Sequence, residues 1–322
     1  MSSRSALAAT PHSLALLPVL ALTYNASAWG LSWWPFRHLQ AQGLHPLWAT
    51  FVIYGLSGLA IAVWRPAAWR QVCRTPALWL VALASGTTNA AFNWGVSTGD
   101  VVRVVLLFYL MPLWAMALAW WLLGERLGRF DVLRAALALG GAGLVLWPAD
   151  GGWPAPQALH EWLGVLGGLA FALNNVMLRR ESHRPEEGRA LAMFLGSLCT
   201  AGLLGTALGV AGQVPWPTAP PASGLLLVAA MAATFLSSNL ALQYGAAHLP
   251  VKITAVVMLT EVAVAAASAV WIGGDVPAPR TGVGGALILS AAVLSALVPS
   301  RPPPRTNMRP PLEDEPLKRM SS

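Results

Sequence analysis

The sequence predicts an all-α integral membrane protein of ten transmembrane helices in two inverted five-helix repeats, and three observations predict it. Of the 322 residues, 56% are hydrophobic and only 10% charged, with a mean hydropathy of +0.58; a globular protein carries about 25% charged residues. Apolar runs long enough to cross a bilayer recur ten times along the chain. The polar residues inside those runs repeat at an interval of 149 to 150 residues.

A hydrocarbon core about 30 Å thick takes about 20 residues of helix. Breaking the chain at Gly, Pro and charge clusters places spans at 14–34, 46–64, 77–97, 100–122, 130–148, 160–179, 189–212, 222–244, 249–272 and 281–299. The first five form one unit (14–148) and the last five another (160–299), between a short N-terminus (1–13) and a tail (300–322). Pro302, Pro303 and Pro304 cannot continue a helix, so the tail reads as disordered. The run from Leu14 to Trp34 holds Tyr24, Asn25 and Trp29 and exceeds the about 7–15 residues of a signal-peptide core, so it is expected to remain as the first span. Trp33, Trp34, Trp48, Trp64, Trp69, Trp147, Trp153, Trp162 and Trp271 fall near span ends, where an indole sits well at headgroup level.

Orientation follows from Lys and Arg in the short connections. With the N-terminus inside, sixteen basic residues fall on the cytoplasmic side, among them Arg65, Arg70, Arg74, Arg179, Arg180 and Arg184, against two outside, Arg37 and Arg280. The expectation is a multi-pass protein of the bacterial inner membrane with both termini cytoplasmic. The net charge of +7 is spread singly between apolar runs, which argues against a nucleic-acid partner and for the lipid bilayer. Cys73 and Cys199 lie far apart without metal-ligand spacing, and no metal or cofactor is implied.

The repeat is carried by polar pairs. At an offset of 150, Thr87-Thr88-Asn89 meets Ser237-Ser238-Asn239, Asn93 meets Gln243 and Gly124-Glu125 meets Gly274-Asp275. At 149, Asn25 meets Asn174, Arg103 meets Lys252 and Pro112 meets Glu261. Five spans per half is an odd number, so the second half enters the membrane with opposite sense, an arrangement found in secondary transporters.

Pro112 followed by Leu122-Leu123-Gly124-Glu125-Arg126-Leu127, then the glycine-rich Gly140-Gly141-Ala142-Gly143, resembles the EamA family of the drug/metabolite transporter superfamily. The likeness covers about residues 14–148 and 160–299. It implies ten helices in two inverted halves, a substrate cavity between them and outward transport of a small polar metabolite, an amino acid or an organic anion. The second half departs from the pattern, with Glu261 where a proline is common and Ile272-Gly273-Gly274-Asp275 where L-G-E is usual.

Ionisable groups within a span cost about 2.5–3.5 kcal/mol at a helix centre, so they face a cavity or a partner. Arg103, Lys252 and Glu261 are the candidates, with Asp100 at the mouth of the fourth span. Arg103 and Lys252 read either as a cation pair drawing anionic or zwitterionic substrates from either side or as side chains snorkelling to the interface. Glu261, near mid-span, reads either as the carrier of a coupling proton or as a hydrogen-bonded strut. Tyr24, Asn25, Asn89, Asn93, Asn174, Asn239 and Gln243 are candidates for the cavity lining; each also has the reading of an interhelical hydrogen bond. Pro112 is a candidate hinge, since it removes a backbone hydrogen bond. Both glycine-rich stretches, Gly140 to Gly143 and Gly282 to Gly285, point to close helix packing.

Other functions leave traces that are missing or thin. Neither lysine, Lys252 nor Lys318, follows a glycine as a Walker A loop requires, so an ATP-driven pump within this chain is disfavoured. Gly55-Leu56-Ser57-Gly58 spells a serine-protease-like motif, but His12, His38, His45, His160, His183 and His248 lie in connections or at span edges. The chain is therefore expected not to be an enzyme; an intramembrane enzyme or a non-transporting scaffold is the alternative to a carrier.

Overall fold

The computed structural model describes residues 11–123, 128–148, 152–249 and 251–297. The expected Gly124-Glu125-Arg126-Leu127 turn, residues 1–10 of the N-terminus and the tail lie outside the described residues. What is described is helical throughout, without strands.

Proline opens many of the helices. α3 (Pro46–Trp64), α4 (Pro66–Arg74), α5 (Pro76–Thr98) and α14 (Pro279–Leu297) all begin on it, at the position where the missing N–H has no helical partner to lose and the fixed φ suits the first turn. Acidic side chains cap others. Asp100 Oδ1 accepts from the backbone N–H of Arg103 at 3.0 Å and starts α6 (Val101–Phe108). Asp131 Oδ2 reaches back to Gly128 N at 2.7 Å in α8 (Arg129–Leu146). Glu161 Oε2 takes Gln157 N at 2.8 Å ahead of α9 (Leu159–Arg180). These bonds satisfy orphan donors at helix N-termini.

Six stretches are long and apolar enough to cross a membrane by length and composition: Pro46–Trp64, Val101–Leu118, Leu159–Arg180, Glu186–Val210, Ala222–His248 and Pro279–Leu297. They correspond to α3, to α6 with most of α7 (Met111–Leu123), and to α9, α10 (Glu186–Val210), α11 (Ala222–His248) and α14. The chain is a multi-pass membrane protein.

The segmentation differs from the sequence expectation in three ways. A short α2 (Trp33–Ala41) follows α1 (Pro11–Leu31) after a bend at Ser32, and the basic α4 lies between α3 and α5; at nine residues each, they are too short to register as spans. The stretch 100–122 is two helices, α6 and α7, parted at Tyr109 and Leu110. The stretch 249–272 is likewise split into α12 (Val251–Met258) and α13 (Thr260–Trp271). Pro112, expected as a mid-helix hinge, is the second residue of α7. Its ring excludes the carbonyl of residue i−4, which is Phe108, the last residue of α6.

α5 packs between α9 and α10, and α1 between α11 and α13. α3 lies against α10 and α11, α8 against α14, and α6 against α9 and α13. The largest apolar cluster centres on α6, whose Val101, Val104, Val105 and Leu107 are buried together with Phe92, Val145, Val262 and Ile288. A second joins Phe36, Ile53, Tyr54, Phe194 and Phe235. Trp64 and Trp271 stand exposed at helix ends, at 72% and 84%, as interfacial anchors would. Trp33 and Trp48 do not: both are buried, with indole N–H groups donated to Ser268 Oγ at 2.9 Å and Pro215 O at 3.1 Å. A buried indole needs such a partner.

Candidate functional site

The two helix breaks meet. Tyr109, at the end of α6, carries a hydroxyl 3.2 Å from the carbonyl oxygen of Met258, the last residue of α12, and 3.2 Å from Glu261 Oε2 on α13. Ending a helix frees carbonyls that need a partner. Here Tyr109 serves Met258, and the Thr260 hydroxyl takes Val257 O at 2.7 Å. Proline accounts for the break between α6 and α7. No proline lies between Val251 and Trp271, so that break is held by these two hydroxyls.

Beside the breaks lies a cavity of about 850 Å³ lined by eight of the helical stretches: α1, α3, α5, α6–α7, α9, α10, α11 and α12–α13, with α14 closing one side. Asn25, Asn89, Asn174, Asn239, Glu261 and Pro112 of the sequence candidates line it. Asn25 is held by its Nδ2, which donates to Ser238 O at 3.0 Å and Ser238 Oγ at 2.6 Å. Because a carbonyl only accepts, this fixes which end of the amide faces α11. Asn89 donates to Ser197 Oγ at 2.7 Å, and Asn239 Oδ1 accepts from Gln243 at 2.7 Å.

The other candidates lie elsewhere. Asn93 is fully buried and donates to Thr50 Oγ1 at 3.0 Å, joining α5 to α3. Tyr24 pairs with Ser237 Oγ at 2.8 Å, and Gln243 stands behind Asn239 rather than in the lining. Arg103 is paired: its guanidinium meets Glu161 Oε1 at 2.8 Å, outside the cavity. Lys252 belongs to α12, but its side chain is outside the described residues. Ser57 is buried with its hydroxyl on Ile53 O and Ala232 O, at 3.0 and 3.1 Å, which makes it a contact between α3 and α11.

Sequence reasoning missed the aromatic lining. Five of the chain's eight phenylalanines, Phe92, Phe108, Phe171, Phe194 and Phe235, face the cavity with Trp29, Tyr54 and Tyr109. A signal was present: Trp29 follows Asn25 by four residues, Phe92 follows Asn89 by three, Phe171 precedes Asn174 by three and Phe235 precedes Asn239 by four. Such spacings put an amide and a ring on one helical face. Trp29 stacks on Phe235 with centroids 4.8 Å apart, and Phe92 meets Phe108 edge-on at 4.9 Å.

No curated protein matches the chain. One solved crystal structure, described only as that of a protein, is similar over 88% of this chain and 96% of its own, with 22% identity and a TM-score of 0.53; at that identity the likeness speaks for the fold alone. The model of the EamA-like transporter family matches residues 16–147. That stretch takes in most of α1, all of α2 to α8 and the first of the two helix breaks, and over it the chain is similar to the EamA-like transporter family, part of the drug/metabolite transporter superfamily.

Proposed function

We propose that the chain is a secondary transporter of small organic metabolites, built of ten spanning segments in two inverted repeats, 14–148 and 160–299, and working by alternating access. The observation that carries this reading is the meeting of two discontinuous helices at a cavity, Tyr109 of one against Met258 O and Glu261 of the other. Helices broken beside a polar site are how carriers bring backbone groups to a substrate within the bilayer.

The packing supports the inverted repeat. Exchanging the halves takes α1 against α11 into α9 against α5, and α1 against α12 and α13 into α9 against α6 and α7; α3 with α10 and α8 with α14 map onto themselves. Two halves that can exchange shapes give two states of comparable energy, open to opposite sides. The reading places the protein in the bacterial inner membrane, termini inside, exporting its substrate as the resemblance implies. Of the two substrate classes raised by the sequence, the organic anion loses support because Arg103 is tied to Glu161 away from the cavity.

Glu261 is the group we assign to a coupling proton. Tyr109 is bonded to it at 3.2 Å, and it borders the cavity. The test is counterflow in liposomes holding the purified full-length protein, with labelled amino acids, organic acids and nucleobases. Saturable exchange of one class is the expected result; no exchange of any compound would remove the carrier reading. Glu261→Gln is expected to lose uphill transport driven by a pH gradient, and an unchanged pH response would remove the proton role.

A further inference from the structure

Among its described lining residues the cavity carries one kind of charge: Glu261 is the only carboxyl, and none is Lys, Arg, His or Asp. Its counterpart in the repeat is Pro112, so the carboxyl is single rather than paired. The same cavity is lined by the rings of Trp29, Phe92, Phe108, Phe171 and Phe235.

The amides add acceptors. Asn25 spends its Nδ2 on Ser238, which leaves Oδ1 as the free end, and that oxygen is buried without a partner. Asn174, its repeat counterpart, also has a buried Oδ1 without a partner. The two residues are 1% and 2% exposed, and both border the cavity. A buried acceptor left unpaired is costly. These two oxygens await a donor; the unpartnered hydroxyls of Tyr54 and Thr254, which can donate or accept, also border the cavity.

Resting on the carrier reading above, we infer that the substrate is an organic monocation: a protonated amine on an apolar body large enough to fill an aromatic-lined chamber. Its ammonium pairs with the Glu261 carboxylate and reaches the asparagine oxygens after a side-chain rotation, while its body lies among the rings. An ammonium leaves water only for a charge partner and hydrogen-bond acceptors, and aromatic faces add cation–π attraction. A carboxylate on the substrate would find no cation among the described lining residues. At about 850 Å³ the chamber lies in the range that holds drug-sized ligands, of about 300–1,000 Å³, which favours an amphipathic body over a very small polar one.

The test compares compounds sharing one ring: phenethylamine, phenylalanine, 3-phenylpropionate and 2-phenylethanol, with ethylamine as the ringless amine. Counterflow is measured in liposomes with the full-length protein, and binding by ligand-induced thermal shift in detergent. Phenethylamine is expected to be favoured by about tenfold or more in kcat/KM over each of the others, the ratio set by about 1.4 kcal/mol. Glu261→Gln should abolish the preference for amine over alcohol. Phe171→Leu should weaken phenethylamine and leave ethylamine unchanged, a readout that survives if the Glu261 variant does not fold. Preferred exchange of phenylpropionate or phenylalanine overturns the inference and leaves the carrier reading standing. Equal handling of ethylamine overturns the apolar-body half, and a panel neither bound nor moved overturns both readings.

Discussion

Tyr109 illustrates how much rests on single hydroxyls in this molecule. Its one proton serves two acceptors, Met258 O and Glu261 Oε2, both at 3.2 Å. Tyr109→Phe keeps the ring and leaves both acceptors short of a donor, a change worth about 1–3 kcal/mol where water cannot substitute. Thermal unfolding in detergent should show a clearly lowered midpoint for Tyr109→Phe and almost none for Tyr24→Phe, whose bond to Ser237 is at the exposed surface. Equal midpoints would mean that the hydroxyl does not hold the break. His45 acts at the opposite extreme, in the connection before α3, where its Nδ1 accepts from Leu47 N at 3.2 Å. Burial pushes its imidazole down from the usual 6.5 to about 4, keeping it neutral and able to accept. The unfolded chain therefore takes up the proton first as the pH falls. The contribution of His45 is fully present above about 6.5 and is lost on the way down to about 4. Unfolding midpoints at pH 7.5 and 4.5 should fall further apart in the wild type than in His45→Asn, whose amide caps without titrating; equal differences would refute this.

At the scale of elements, the glycines divide into those that set a helix crossing and those that do not. A Cβ on Gly141 of α8 would lie 2.6 Å from Gly284 O, and one on Gly284 of α14 would lie 2.6 Å from Gly141 O. The two backbones touch, as small residues permit between helices in lipid. Gly140, Gly143 and Gly282 would meet nothing within 4 Å. Gly284→Ala should therefore destabilise by about 1–3 kcal/mol, the usual scale of overpacking. Gly140→Ala should be neutral or stabilise by up to about 1 kcal/mol through helix propensity. Thermal unfolding of the two single variants decides, and a loss of the same size for both would contradict the crossing. Both glycine-rich stretches were legible in the sequence as packing faces. Which glycine touches was not, because that depends on how the two helices are rotated against each other. The same divide holds for the breaks. Pro112 announced trouble in the fourth apolar stretch, although it acts from α7's first turn. The split at Leu259 had no local signal, since Tyr109, 149 residues away in sequence, helps to hold it. At the site, the asparagines and Glu261 stood out as polar residues in apolar runs. The phenylalanines carry no such mark within an apolar run, and only their spacing from the asparagines separates them.

The whole molecule is asymmetric in a way that two similar halves need not be. Ser85, Asn175, Leu242, Thr254 and Ser295 of the cavity lie toward the helix ends that carry Arg65, Arg74, Arg179 and Arg180. The opposite end carries a chain of polar contacts. There Arg103 of α6 pairs with Glu161 of α9, Arg37 donates to Gly99 O and lies 4.9 Å over the Trp33 ring, and Trp33 in turn reaches Ser268. The repeat offset of 149 carries Arg103 to Lys252 and Glu161 to His12, two residues of no opposite charge, so the same positions cannot make an ion pair at the other end. A lock at one end only biases a two-state carrier toward the conformer closed at that end, and an equilibrium moves only by the difference in contacts between its states. Arg103→Gln removes the charge from that lock. Glu161→Gln does the same while its amide oxygen can still accept from Gln157 N, the cap that Glu161 Oε2 provides. The measurement is labelling by a membrane-impermeant maleimide, applied from the Arg103 side, of Thr88→Cys in a chain whose two cysteines, Cys73 and Cys199, are replaced by serine. Thr88 borders the cavity and is shielded while that end is shut. Both charge-removing variants should raise labelling about tenfold, the effect of a shift of about 1.4 kcal/mol, and Arg103→Lys should stay near the parent. If labelling is unchanged in both, the ion pair is an ornament of that end, and the bias must come from the apolar packing of Val101, Val104 and Val105 around α6.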